Sequence, residues 1–221
     1  MVIACGKHFP GHGDTATDSH RELPVVDAGL HRLRDTEFPP FQQAIRYGVA
    51  GLMTAHVLYR ALDPEAPATL SSAVIQRLLR EEFRYEGVVF TDDLEMHAII
   101  DHDGIGEAAV RSFVAGCDVL LICKDQDRVM TAMQAMERAV KDGRITQERL
   151  DQSLARVAKL KARYLHPYKP VTISDARLVV GCRSHKVLLD SWHKAYARIP
   201  KPTLVERGQA APPHDSPVTH V

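Results

Sequence analysis

The sequence predicts an α/β fold built on a parallel sheet, and three observations carry that reading. Short runs that are apolar on both faces recur along the chain. Segments with helical periodicity separate them, and polar residues cluster directly after several of them. Buried parallel strands read as continuous apolar, β-branched runs, and the helices between them supply the crossovers. Two architectures meet that pattern: an open doubly wound sheet and a (β/α)8 barrel.

The strand runs are Val2-Ile3-Ala4-Cys5, Gly51-Leu52-Met53-Thr54-Ala55, Gly87-Val88-Val89-Phe90-Thr91 and Asp118-Val119-Leu120-Leu121-Ile122-Cys123. Between the first two, a helix is expected from Pro39 to Tyr47, with proline in its first turn and Phe41 and Ile45 four apart. Ser71 can cap the next helix, whose stripe is Val74, Ile75, Leu78 and Leu79 and which ends near Phe83. A weaker pattern places a third helix at Gly106 to Ala115. The fourth, Arg128 to Lys141, sets Val129, Met133, Met136 and Val140 on one face, read as core packing, and stops at Gly143. Thr146 can cap a fifth, with Leu150, Leu154, Val157 and Leu160 in line, which His166-Pro167 ends.

The strand runs begin near residues 2, 51, 87 and 118, so about four βα units fit before residue 165. A complete barrel takes about 250 residues. Beyond residue 165 come a short apolar run, Leu178-Val179-Val180, and a helix-like stretch with Leu188, Leu189 and Trp192. From Ile199 onward prolines and polar residues predict a disordered tail.

The 221 residues carry 28 Lys plus Arg against 28 Asp plus Glu, and this zero balance removes the footprint of a dedicated nucleic-acid binder. No apolar run approaches the length that spans a bilayer, and the first residues lack signal-peptide regions, so the expected location is the cytoplasm. Small molecules are the expected partners. Cys5, Cys117, Cys123 and Cys182 form no CxxC pair and read as buried reduced thiols. Five of the 12 histidines, His8, His12, His20, His31 and His56, fall in the first 56 residues.

Three strand ends carry chemistry. Lys7-His8-Phe9-Pro10-Gly11-His12-Gly13-Asp14, followed by Asp18-Ser19-His20, sits at the end of the first run, where α/β enzymes place ligands. Asp18 is close enough to hold one imidazole nitrogen of His20 while the other faces a substrate, and histidine suits proton transfer near neutrality. A capped loop with an exposed histidine fits the same spacing. In Thr91-Asp92-Asp93-Leu94-Glu95-Met96, strand alternation sends the two aspartates to opposite faces, so one should look into the site. That residue could be a nucleophile, a metal ligand or a helix cap. His56 ends the second run and reads as a structural or orienting residue beside the pocket.

Together these segments, with Ala115-Gly116-Cys117-Asp118, resemble the glycoside hydrolase family 3 β-N-acetylhexosaminidases of the bacterial cell-wall-recycling type, over about residues 2 to 165. The resemblance implies a retaining glycosidase and the C-terminal half of a (β/α)8 TIM barrel, about four βα units, followed by a helical connector (166–198) and the disordered tail (199–221). It implies Asp92 as nucleophile, His20 as acid/base and Asp18 as its orienting partner. Lys7, His8 and His56 are implied to line the sugar site, with no cofactor and no metal. Its substrate would be a glycan ending in N-acetylglucosamine. Family members carry about four further βα units ahead of the Lys7-His8-Phe9 segment, including an aspartate and an arginine that grip the non-reducing sugar, and nothing here matches them.

A piece of a longer reading frame is therefore expected. The alternatives are a half-barrel completed by another polypeptide or by self-association, and a non-catalytic sugar-binding relative. Exposed parallel edge strands favour association. A separate possibility is a metal site drawn from His8, His12, Asp14, Asp18 and His20, against which stand the glycines and the lack of a helical His pair.

Overall fold

A computed structural model describes residues 2–13, 15 and 23–196. The chain divides into two compact units, Met1–Tyr168 and Lys169–Val221.

In the first unit a parallel sheet forms from β1 (Cys5–Phe9), β3 (Gly51–Thr54), β5 (Val88–Asp93) and β6 (Val119–Leu121), in the order β1-β3-β5-β6. Cys5 pairs with Gly51, Gly51 with Val88, and Phe90 with Val119. A two-stranded parallel pair, β2 (Val25–Val26) with β4 (Leu58–Tyr59), lies outside that sheet. Two residues per strand carry no periodicity, and the sequence gives no hint of this pair. The first strand also begins later than expected. Val2 to Ala4 lie before β1 because the β3 partner starts at Gly51, opposite Cys5.

The crossover from β1 to β3 is a helical run of α1 (Leu30–Arg32), a π-helical section Leu33–Glu37 and α2 (Phe38–Arg46). A second π-helical segment, Ala73–Glu82, follows β4, and the Ser71 hydroxyl accepts from the Val74 N–H at 3.2 Å as expected of its cap. Leu33, Phe38, Ile75 and Leu79 from these segments bury completely against Phe9, Leu52 and Val89 of the sheet. Phe9 meets Phe41 edge-on at 5.2 Å.

Helix α3 (His97–Ala115) starts nine residues before the expected Gly106; the kink at Gly104 separates the expected part from the turns ahead of it and breaks the helical period between them. It ends at Gly116, whose φ of +126° and whose approach to Ile75 Cγ2, 2.7 Å from an ideal Cβ, leave room for glycine alone. Helix α4 (Gln126–Lys141) is capped by Asp125, and α5 (Gln147–Leu165) by Thr146.

Three stripe assignments need correction. Met133 is 59% exposed, Val140 37% and Leu154 58%, so none of them is core. α4 packs through Ala132 and Ala139, both buried, and Ala135 lies so near Gly106 that a Cβ there would stand 3.1 Å away. Small side chains permit that close approach and turn Met133 outward. In α5 it is Ser153 that is buried, drawn inward by the Asp118 carboxylate at 2.6 Å. The cysteines also differ from expectation: all four are free, but only Cys117 is buried, while Cys5 and Cys123 are exposed.

The second unit holds α6 (Ile173–Val179) and α7 (Arg183–Tyr196). Leu178 and Val179 belong to α6, which Thr172 caps, and Leu188, Leu189 and Trp192 are exposed on α7. The tail from Ile199 lies outside the described residues. Among the described residues no helix is long and apolar enough to cross a membrane.

Candidate active site

The C-terminal ends of β1, β3 and β5 lie side by side, because these strands are neighbours in one parallel sheet. That adjacency brings together His8, His56, Asp92 and Asp93, which are separated by up to 85 residues in the chain (93 − 8). His8 Nε2 stands 3.4 Å from Asp92 Oδ2, with both side chains about a quarter exposed, 26% and 22%. The other carboxylate oxygen, Oδ1, accepts the Asp93 backbone N–H at 2.9 Å. One oxygen is therefore tied to the strand end while the other stands beside His8.

Asp93 performs a different task, as strand alternation requires. Its Oδ1 accepts the Glu95 N–H at 3.1 Å and caps the turn into α3. Glu95 continues the tie, accepting the Lys124 N–H at 2.6 Å and Arg128 Nη1 at 3.4 Å, and so fastens the loop after β6 to the end of β5.

Lys7 is exposed on β1, one residue before His8. Partial burial pushes the His8 imidazole below its ordinary value, the Asp92 charge opposes this, and Lys7 and His12 reinforce it. The His12 ring stands 5.8 Å from that of His8, and its Nδ1 lies 3.2 Å from Thr15 Oγ1.

His56 is 1% exposed, and both its ring nitrogens are engaged: Nδ1 with Thr69 Oγ1 at 2.8 Å, Nε2 with the Asp93 carbonyl at 3.0 Å. Burial, ahead of the opposing pull of the Asp93 carbonyl and of Asp92 and Asp93, lowers its pKa and keeps it neutral. It lies directly behind the strand end that carries the aspartates.

The loop after β1 is pinned from two sides. Tyr59 donates its hydroxyl to the Gly11 carbonyl. Glu37 crowds Gly11 so closely that a Cβ there would lie 2.7 Å from Glu37 Cβ, and φ is +141°. Burial pushes the Tyr59 phenol up, so it remains a donor. Asp14, Asp18 and His20 lie outside the described residues. Three of the five side chains considered for a metal site are thus outside them too; among the described residues no cluster of three or more His, Cys, Asp or Glu is arranged to hold a metal ion.

Thr69, Glu37 and Tyr59 were not singled out by sequence reasoning. Thr69 sits in Pro67-Ala68-Thr69-Leu70-Ser71, which matches no chemical pattern, and Glu37 and Tyr59 belong to elements separated from the loop by sequence.

The model of the glycosyl hydrolase family 3 N-terminal domain matches residues 1–160. The chain belongs to glycosyl hydrolase family 3. Among curated relatives in the family, beta-hexosaminidase A of Pseudoalteromonas piscicida is 35% identical over 205 residues, 85% of this chain and 34% of the relative. Beta-hexosaminidase of Nitrosomonas eutropha is 36% identical over 162 residues, 72% of this chain and 46% of the relative. The solved glycoside hydrolase family 3 beta-N-acetylglucosaminidase from Paenibacillus sp. str. FPU-7 superposes with a TM-score of 0.77 at 46% identity, covering 82% of this chain and 34% of that one. The chain thus spans about a third to a half of the length of these family 3 relatives.

Proposed function

We propose that the chain carries the catalytic half of a retaining β-N-acetylhexosaminidase that removes terminal, non-reducing β-linked N-acetylglucosamine. The observation that carries this reading is the partly exposed Asp92 carboxylate, with Oδ1 tied to the Asp93 N–H and Oδ2 free of that tie, 3.4 Å from His8 Nε2. A retaining glycosidase needs such a fixed carboxylate as nucleophile and a second group that first protonates the leaving oxygen and then activates water.

In the first step Asp92 Oδ2 forms a bond to the anomeric carbon, the glycosidic C–O bond breaks, and the departing oxygen takes a proton from His20. In the second step water bonds to the anomeric carbon, its proton passes to His20, and the Asp92 ester bond breaks. Asp18 holds the second nitrogen of His20. These two roles rest on the Asp18-Ser19-His20 motif. Lys7 and His8 hydrogen-bond sugar hydroxyls.

The four parallel strands, in consecutive order and with two open edges, support reading the first unit as the second half of an eight-stranded barrel. Its complement would be further βα units, on the same or another chain, and residues 166–198 would be a connector. The names of the relatives support N-acetylhexosamine as the sugar recognised. Turnover of cell-wall fragments in the cytoplasm is the setting that the motif resemblance favours.

The test is hydrolysis of 4-nitrophenyl N-acetyl-β-glucosaminide, with the sugar's anomeric signal followed by NMR. The β anomer is expected as the first product, and its absence with Asp92→Ala. First release of the α anomer would overturn the retaining scheme.

A further inference from the structure

We propose that Thr69 and His56 are positioning residues for the nucleophile, acting through a directed chain of buried hydrogen bonds onto Asp93; the inference rests on Asp92 being that nucleophile. The direction of each bond follows from what its atoms can do. The Asp93 carbonyl can only accept, so the ring proton of His56 sits on Nε2, 3.0 Å away. The same carbonyl accepts the Met96 N–H at 3.1 Å.

With the ring neutral, Nδ1 is an acceptor, and Thr69 must aim its single hydroxyl proton at it across 2.8 Å. Thr54, 2.8 Å from Thr69 Oγ1, then donates to that oxygen. The polarity therefore runs from Thr54 on β3 to Thr69, to His56, to the Asp93 carbonyl on β5. The Ala55 carbonyl, 3.0 Å from Thr69 Oγ1, is the competing acceptor and would take that proton only if the ring became cationic.

Thr54 and Thr69 are fully buried and His56 is 1% exposed, so no solvent can replace a missing link. The chain ends on the residue whose own N–H holds Asp92 Oδ1 at 2.9 Å. Rotation of Asp93 would therefore swing Asp92 Oδ2, the attacking oxygen. A purely structural threonine would need only its shape; this one needs its hydroxyl.

Thr69→Val keeps the volume and removes the donor, while Thr69→Ser keeps the donor. Two readouts are taken on the chain at pH 7. By NMR, Thr69→Val is expected to shift the Asp92 13Cγ and Asp93 amide signals, and Thr69→Ser to leave both near their wild-type positions. In turnover of 4-nitrophenyl N-acetyl-β-glucosaminide, kcat of Thr69→Val is expected to fall at least about tenfold with KM unchanged, and Thr69→Ser to stay within about twofold of wild type.

A wild-type chain without turnover would sink the hexosaminidase reading, and the NMR comparison would still decide the positioning. Unshifted Asp92 and Asp93 signals in Thr69→Val, equal effects of valine and serine, or wild-type kcat in an active Thr69→Val would overturn it. Should Thr69→Val not fold, Thr54→Val breaks the same chain one hydroxyl earlier and is read by the same signals.

Discussion

Asp118→Asn is expected to destabilise the first unit by about 3–5 kcal/mol, the range for breaking a buried ion pair by removing one charge. The Asp118 side chain is 0% exposed and gathers three elements. Its Oδ2 accepts from Arg80 Nη2 at 2.7 Å and the Val89 N–H at 3.0 Å; its Oδ1 accepts from Ser153 Oγ at 2.6 Å and Arg156 Nη1 at 3.2 Å. Arg149 adds a more distant charge at 3.7 Å. Asparagine preserves the shape but cancels the charge and turns an NH2 donor toward groups that all donate. Arg80, 8% exposed, would keep its carbonyl partners Tyr85 and Gly87 and lose its counter-charge. Burial already pushes the Arg80 pKa down, with Asp118 as the main opposing influence.

With a urea slope of about 2 kcal/mol/M, that loss moves the midpoint by about 2 M. For a domain with about 5–15 kcal/mol of stability, it is a large fraction. Urea titration followed by circular dichroism measures it, with Arg156→Gln as comparator. Arg156 is 24% exposed, so its removal is expected to cost only about 1 kcal/mol. A midpoint unchanged within about 0.5 M in Asp118→Asn would refute the reasoning.

Gly11→Ala forces a side chain into an unfavourable φ and against Glu37, so it is expected to cost about 1–3 kcal/mol and lower turnover; differential scanning calorimetry with an unchanged Tm would contradict this. His56 should also make stability depend on pH. Its folded pKa lies below the unfolded value of about 6.5, so in acid the unfolded chain takes up a proton that the folded chain refuses. Stability then falls as pH drops below about 6.5, and His56→Gln is expected to show a flatter dependence between pH 6.5 and 5. Parallel curves for the two proteins in urea titrations would remove His56 as a source. His8, also lowered chiefly by burial, acts in the same direction in both proteins.

The sheet was legible where physics leaves a one-dimensional trace. Val88-Val89-Phe90 and Val119-Leu120-Leu121 read as strands from their continuous apolar runs, and strand alternation parts the two aspartates after Phe90, while the choice of Asp92 over Asp93 comes from the motif resemblance. Partners chosen in three dimensions left no such trace. Thr69 meets His56 across 13 residues, and Asp118 meets Arg80 across 38. The helix stripes misled at Met133 and Leu154 because hydrophobicity marks a face without saying whether small or polar neighbours, here Ala132, Ala139 and Ser153, make the closer contact. The acid/base assignment to His20 and Asp18 remains one of motif, since both lie outside the described residues.

The central claim is that Asp92 is the nucleophile of an N-acetylhexosaminidase site. Incubation of the chain with a fluorinated N-acetylglucosaminyl fluoride, followed by digestion and mass spectrometry, tests it most directly. The predicted result is one sugar added to the peptide containing Asp92, and no addition in Asp92→Ala. A label on a different residue, or equal labelling of wild type and Asp92→Ala, would contradict it.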